Sequence, residues 1–182
     1  MIYVFLAPGF EEIEALAVVD VLRRAELDVR TVGVGEDFVI GSHQVPVACD
    51  ISEKNLILDD NVEAIVLPGG MPGTLNLEKS VVVQKAIDWA VANDKLICAI
   101  CAAPSILGHK NLLDGKKATC FPGFEEELFG AEVSKDFVVK DGNFITAKGM
   151  GSAIEFGLQI AEVLANPMEV KKIRASLQIY NG

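Results

Sequence analysis

Three runs of apolar residues, Ile2–Leu6, Ala64–Leu67 and Leu96–Ile100, have strand length and end in turn residues. Such uninterrupted runs mark strands buried on both faces of a parallel sheet. Residues 29–34 read as a further strand. Between them the period changes to that of helices. Over 11–25, Ile13, Leu16, Ala17, Val19 and Leu22 recur at helical spacing, and over 80–93 Val83, Ile87, Ala90 and Val91 do the same. Residues 39–40 and 45–48 predict a short hairpin or edge excursion, because Pro46 interrupts the pattern. Further on, 118–121 reads as a short strand, and 133–139 pairs with 144–146 across the turn dipeptide Asp141-Gly142. A last long helix opens at Ser152, which forms a capping box with Glu155, and turns Phe156, Ile160 and Leu164 inward. Asn166-Pro167 stops it, and 168–176 forms a final surface helix. The order β-α-β-β-α-β implies an α/β fold with a parallel doubly wound sheet.

With 182 residues, 51% of them hydrophobic, the chain can bury a substantial core, and no linker-like stretch divides it. Residues 1–182 are read as one domain. The net charge of -10 opposes binding to phosphate backbones, and the one basic cluster is Lys171, Lys172 and Arg174. No leader pattern and no membrane-length apolar run stands out, so a soluble, cytoplasmic protein without nucleic-acid or membrane partners is expected. No glycine-rich phosphate loop follows any strand, so no nucleotide cofactor is expected. The cysteines are Cys49, Cys98, Cys101 and Cys120. The Cys98/Cys101 spacing resembles a redox pair, but in a strand it puts the side chains on opposite faces, beyond disulfide reach. No metal site is expected, since a zinc site would require a second ligand cluster.

The chemistry concentrates where the 96–100 strand breaks. Cys101 stands at the break with the small residues Ala99, Ala102 and Ala103 around it, and Pro104 fits a first helical turn. A sharp strand-to-helix turn lifts such a side chain to the rim of the sheet, under free helix N–H groups that favour a thiolate. A free cysteine in a strand is more commonly an inert core residue, so the pattern alone leaves both roles open. In an open parallel sheet, sites form outside the carboxyl ends of the strands. If the strands run parallel, Glu14, after the first strand, and the glycines of the 69–73 loop, after the third, can meet Cys101 there, although Gly69-Gly70 alone also reads as a plain tight turn. His43 and His109 are poorly placed to serve as its base: one reads as an exposed loop residue, the other as the far end of a helix. Glu14 is then the nearest acid/base group, and to hydrogen-bond a thiolate it must hold a proton, which burial favours.

Five segments together resemble the ThiJ/PfpI superfamily, and within it the branch of the parkinsonism-associated deglycase. They are Gly9-Phe10-Glu11-Glu12-Ile13-Glu14, Val19-Asp20-Val21-Leu22-Arg23-Arg24-Ala25, Leu67-Pro68-Gly69-Gly70, Asn76-Leu77 and Ala99-Ile100-Cys101-Ala102-Ala103-Pro104, joined by Gly149-Met150-Gly151-Ser152. The resemblance implies a flavodoxin-like sandwich, a homodimer, Cys101 as reactive cysteine, Glu14 as its carboxyl partner, and backbone N–H groups near Gly70 and Ala102 as oxyanion donors. It also implies cofactor-free action on small reactive aldehydes or dicarbonyls and their early adducts, with redox sensing or chaperone-like protection as the alternative. Ala102 stands where the peptidase branch has histidine, which argues against peptidase activity. Phe121 stands where many deglycase-branch members carry a histidine before proline. Arg23, Arg24 and the proline-bearing segment 45–49 are the places where a two-fold contact is expected.

Overall fold

A computed structural model of the chain describes residues 1–179. The elements are β1 (Ile2–Leu6), α1 (Glu12–Arg24), β2 (Val29–Gly33), β3 (Phe38–Ile40), β4 (Pro46–Ala48), β5 (Ile51–Ser52), β6 (Ala64–Leu67), α2 (Gly73–Lys79) and α3 (Val81–Ala92). They continue with β7 (Leu96–Ile100), α4 (Pro104–His109), β8 (Lys117–Ala118), β9 (Glu132–Val133), β10 (Val138–Asp141), β11 (Phe144–Ala147), α5 (Ala153–Leu164) and α6 (Pro167–Ser176). Seven strands form the main sheet in the order β10-β11-β7-β6-β1-β2-β5, and every pairing is parallel except that of β10 with β11. The predicted mixed α/β fold with a mostly parallel sheet is the one observed.

The apolar strands are explained by cover on both faces. In β1, Ile2, Val4 and Leu6 join a cluster with Val18, Leu22, Phe156 and Ile160 of α1 and α5, whereas Tyr3 and Phe5 join Ile87, Ile106 and Leu107 of α3 and α4. Strand alternation thus feeds two cores. The chain leaves β1 for β2 on one side and returns to β6 on the other, which makes the gap between β1 and β6 the switch point where loops splay apart. No helix among the described residues is long and apolar enough to cross a membrane.

Several expectations are corrected. The buried face of α1 is Glu14, Ala15, Val18, Val19, Val21 and Leu22, while Ile13 and Leu16 are 50% and 36% exposed. Its middle, residues 15–19, is apolar without a break and so presents apolar residues on every side, and its partner α5 selects the inner face: a Cβ on Gly157 would come 3.1 Å from Val21 Cβ. The capping box is not formed. Ser152 Oγ instead donates to Gly149 O at 2.8 Å, and Glu155 pairs with Arg174 at 2.6 Å. The predicted 133–139 strand is split, Val133 pairing with β8 and Val138 with β11, because Ser134 Oγ and Asp136 close a local turn between them. The 118–121 strand shrinks to β8, Lys117–Ala118. Of the two readings of 39–48, the hairpin is the one observed: β3 and β4 pair antiparallel, apart from the main sheet. The helix α2 and the strand β5 have no counterpart in the apolar pattern.

Candidate active site

The chain turns sharply at Cys101, which follows the last residue of β7 and has φ +65°. A non-glycine residue in this left-handed region costs about 1–2 kcal/mol, so the surroundings must hold it. They do so through both of its peptide groups. Cys101 N donates to Ala147 O at 2.9 Å, and Phe121 N donates to Cys101 O at 2.8 Å. The kink also overturns the opposite-face expectation: Cys101 leans on the same apolar cluster that contains Cys98. All four cysteines are nevertheless free, and Cys98 is fully buried.

Glu14, 1% exposed, lies in the first turn of α1, where Glu11 caps the helix by accepting from Glu14 N at 2.7 Å. Its Oε2 accepts from Gly69 N at 3.0 Å, and the Cys101 thiol and Met150 N–H lie close enough to the same carboxyl to pull its pKa down. Glycine is required at 69 by space: a Cβ there would sit 2.6 Å from both Cys101 Cβ and Glu14 Oε2. The N–H groups of Gly70 and Ala102 are the backbone donors to the Cys101 sulfur. All four residues singled out in the sequence, Cys101, Glu14, Gly70 and Ala102, therefore come together at the switch point. Burial pushes Glu14 up to about 7, as expected for this carboxyl. Burial, reinforced by the Glu14 charge, pushes the Cys101 thiol up to about 12, against the pull of the two backbone donors and against the thiolate that the sequence pattern suggests. The helix expected to favour a thiolate, α4, has six residues and little dipole to offer. The resting pair is a thiol beside a carboxyl that titrates near neutrality, so the arrangement supplies a base that can take the sulfur proton as the sulfur attacks.

A model of the DJ-1/PfpI family matches residues 1–163. The chain belongs to this family. The Drosophila melanogaster protein dj-1beta is 38% identical over 182 residues, which span 98% of this chain and 97% of that protein. The crystal structure of Drosophila melanogaster DJ-1beta has a TM-score of 0.91 at 36% identity, covering 98% of this chain and 97% of the other. A Caenorhabditis elegans relative named glutathione-independent glyoxalase DJR-1.2 is 30% identical over 165 residues, 90% of this chain and 87% of its own.

In this DJ-1/PfpI chain both histidines are engaged by acidic side chains. His109 lies between Glu78 and Glu127, whose oxygens are 2.5 and 2.8 Å from its two ring nitrogens. His43 Nδ1 is 3.1 Å from Glu12 Oε2. Glu11, Glu12 and His43 place one potential ligand atom each within 4.8 Å of one another. The Glu12 oxygens, however, already accept from His43 N at 2.7 Å and from Ser42 Oγ at 3.2 Å, so this carboxylate serves to tie the β3–β4 hairpin to α1. Sequence reasoning missed the contribution of Met150, whose N–H reaches Glu14 from a glycine-flanked turn far along the chain. The only available signal was Gly149-Met150-Gly151 itself. Phe121, noted as a departure, stands beside the site as an exposed ring.

Proposed function

We propose that the protein is a cofactor-independent, cysteine-dependent enzyme acting on small reactive dicarbonyls such as methylglyoxal, or on their early adducts, with a protective role in the cytoplasm. The observation that carries this reading is the buried Glu14 carboxyl on the Cys101 thiol, with the Gly70 and Ala102 N–H groups converging on the same sulfur. A relative named as a glutathione-independent glyoxalase supports the choice of substrate.

In the proposed course, the ionised Glu14 takes the thiol proton as Sγ adds to the aldehyde carbon, then passes it to the new alkoxide to give a hemithioacetal. The Gly70 and Ala102 N–H groups hold that oxygen while it carries charge, a role worth about 3 kcal/mol per donor in well-measured sites. Glu14, again a carboxylate, removes the proton from the former aldehyde carbon and returns it to the neighbouring carbon through an enediol. The aldehyde carbon is thereby oxidised to a thioester while the ketone is reduced to an alcohol, and water releases lactate and the thiol. Purified protein is expected to convert methylglyoxal to lactate without glutathione, and Cys101→Ser to lose that activity. Equal activity in the variant would remove the mechanism. A peroxide-sensing cysteine is the other reading of this pair; it would leave methylglyoxal unconverted, which the same assay separates.

A further inference from the structure

Beside the catalytic pair lies a cleft of about 370 Å³ lined by Phe121, Pro122, Phe137, Lys148, Met150 and the backbone of the 149–152 turn. Its large apolar side chains face water: Phe121 is 47% exposed, Phe137 69% and Met150 52%. Exposed aromatic surface at a concave site is favourable only when something covers it. The cleft contains one charged side chain, Lys148, and that ammonium donates to Lys135 O at 2.8 Å and lies 5.3 Å from the centre of the Phe137 ring. The lining therefore offers a flat neutral group two rings and a thioether, and its one charged side chain is already held by a carbonyl and a ring.

The cleft adjoins the reacting groups at Gly149. A Cβ at that position would lie 3.2 Å from the Phe121 ring and 3.7 Å from Glu14 Oε1, so one methyl-sized point touches both the aromatic wall and the base. A substituent that extends past this point from the carbon that Glu14 serves meets the aromatic wall. Gly149 has φ 164°, extended backbone open to any residue, so the missing side chain is a matter of space and not of conformation.

We propose that Phe121, Phe137 and Met150 form a subsite for an aryl group, making aryl-substituted dicarbonyls such as phenylglyoxal preferred substrates over glyoxal; this rests on the dicarbonyl reading given above. The reaction balances as before. Sγ bonds to the aldehyde carbon, the proton of that carbon moves to the neighbouring carbonyl carbon, and water cleaves the thioester, so phenylglyoxal and water give mandelate and a proton with no outside oxidant.

The test is the ratio of kcat/KM for phenylglyoxal to that for glyoxal, measured in wild type, Phe137→Ala and Gly149→Ala. The intrinsic reactivities of the two aldehydes cancel when variants are compared, so a change in the ratio isolates the cleft. A fall of about tenfold or more is expected in each variant, the scale on which apolar pockets discriminate. Phe137 is a surface side chain and Gly149 sits in extended backbone, so both variants should fold, which circular dichroism verifies. If glyoxal is turned over and the ratio stays within twofold in both variants, the aryl subsite is refuted and the dicarbonyl enzyme stands. If wild type turns over neither aldehyde, the proposed function fails, and protection of Cys101 from iodoacetamide then decides the cleft. Acetophenone should protect at tenfold lower concentration than acetone, and equal protection by the two would refute the subsite as well.

Discussion

Glu14 is the residue on which activity and stability pull against each other. Its carboxyl is raised to about 7 from an ordinary 4.5 because burial penalises the charge. The folded state therefore binds more protons than the unfolded chain between those values, and stability falls as pH rises through that window. The difference amounts to roughly 3 kcal/mol above pH 7, at about 1.36 kcal/mol for each tenfold change in proton affinity. The proposed chemistry needs the ionised form, so kcat/KM for methylglyoxal should climb as pH passes about 7 and then level off. In Glu14→Gln the profile should be flat and the rate lower by a hundredfold or more. The variant should also melt higher than wild type at pH 8 but not at pH 4.5. It removes a charge that raises the thiol, so iodoacetamide should alkylate Cys101 faster at a given pH even as turnover drops. A variant whose activity still rises through pH 7 would show that another group is the base. Cys101 and Glu14 could be read from the chain because each follows a strand in an order that puts both on one rim. The raised carboxyl of Glu14 was legible from the same placement; the extent of burial around the thiol was not, since no local pattern records it.

At the scale of elements, the strands were legible because continuous apolar runs admit only doubly covered positions. The helices were less so. In α1 the unbroken apolar run 15–19 offers several stripes, of which Ile13, Leu16, Ala17 is one, and only the approach of α5 at Gly157 decides which side is inner. The helix α2 begins at Gly73 behind a proline, where local signals indicate loop. It matters for the rear of the nucleophile helix. Glu78 of α2 and Glu127 of the short turn 125–127 hold His109 at the end of α4, and the ring also packs on Phe129 with centroids 5.3 Å apart. Both carboxylates raise the His109 pKa. A raised imidazole contributes stability that is complete below its unfolded value near 6.5 and is lost as pH rises through the folded value. The groups are partly exposed, so the effect should be on the order of 1 kcal/mol or less. His109→Gln is expected to lower the melting temperature at pH 6 and to leave it nearly unchanged at pH 9.5. Equal losses at both would mean that His109 acts through packing alone.

For the whole molecule, the outward stripe of α1 becomes informative. Ile13 and Leu16 remain exposed on α1, as do Ile40 and Val45 of the hairpin region, each at least 36%. Ile13 and Val45 line one shared cleft, so α1 and the hairpin meet on one face. Arg23 and Arg24, expected to mark this contact, are instead satisfied within the chain by Asp50 and Asp20. An isologous two-fold contact through α1 and the hairpin would cover the apolar face. Light scattering should give close to twice the 19.5 kDa chain mass, and Leu16→Glu should shift it toward the monomer. A wild-type monomer at micromolar concentration would refute this assembly.

The hairpin on that face is fastened to the loop that carries the base. Gly9 N donates to Ile40 O at 2.8 Å, Ser42 N to Phe10 O at 2.8 Å, and His43 N to Glu12 Oε1 at 2.7 Å. Releasing the hairpin therefore means breaking bonds at both ends of the turn that sets Glu14 over Cys101, and the two segments open as one cooperative unit. Whatever grips this surface thus holds the base in line, so occupancy of the adjoining face is felt as a change in the fraction of molecules ready to react.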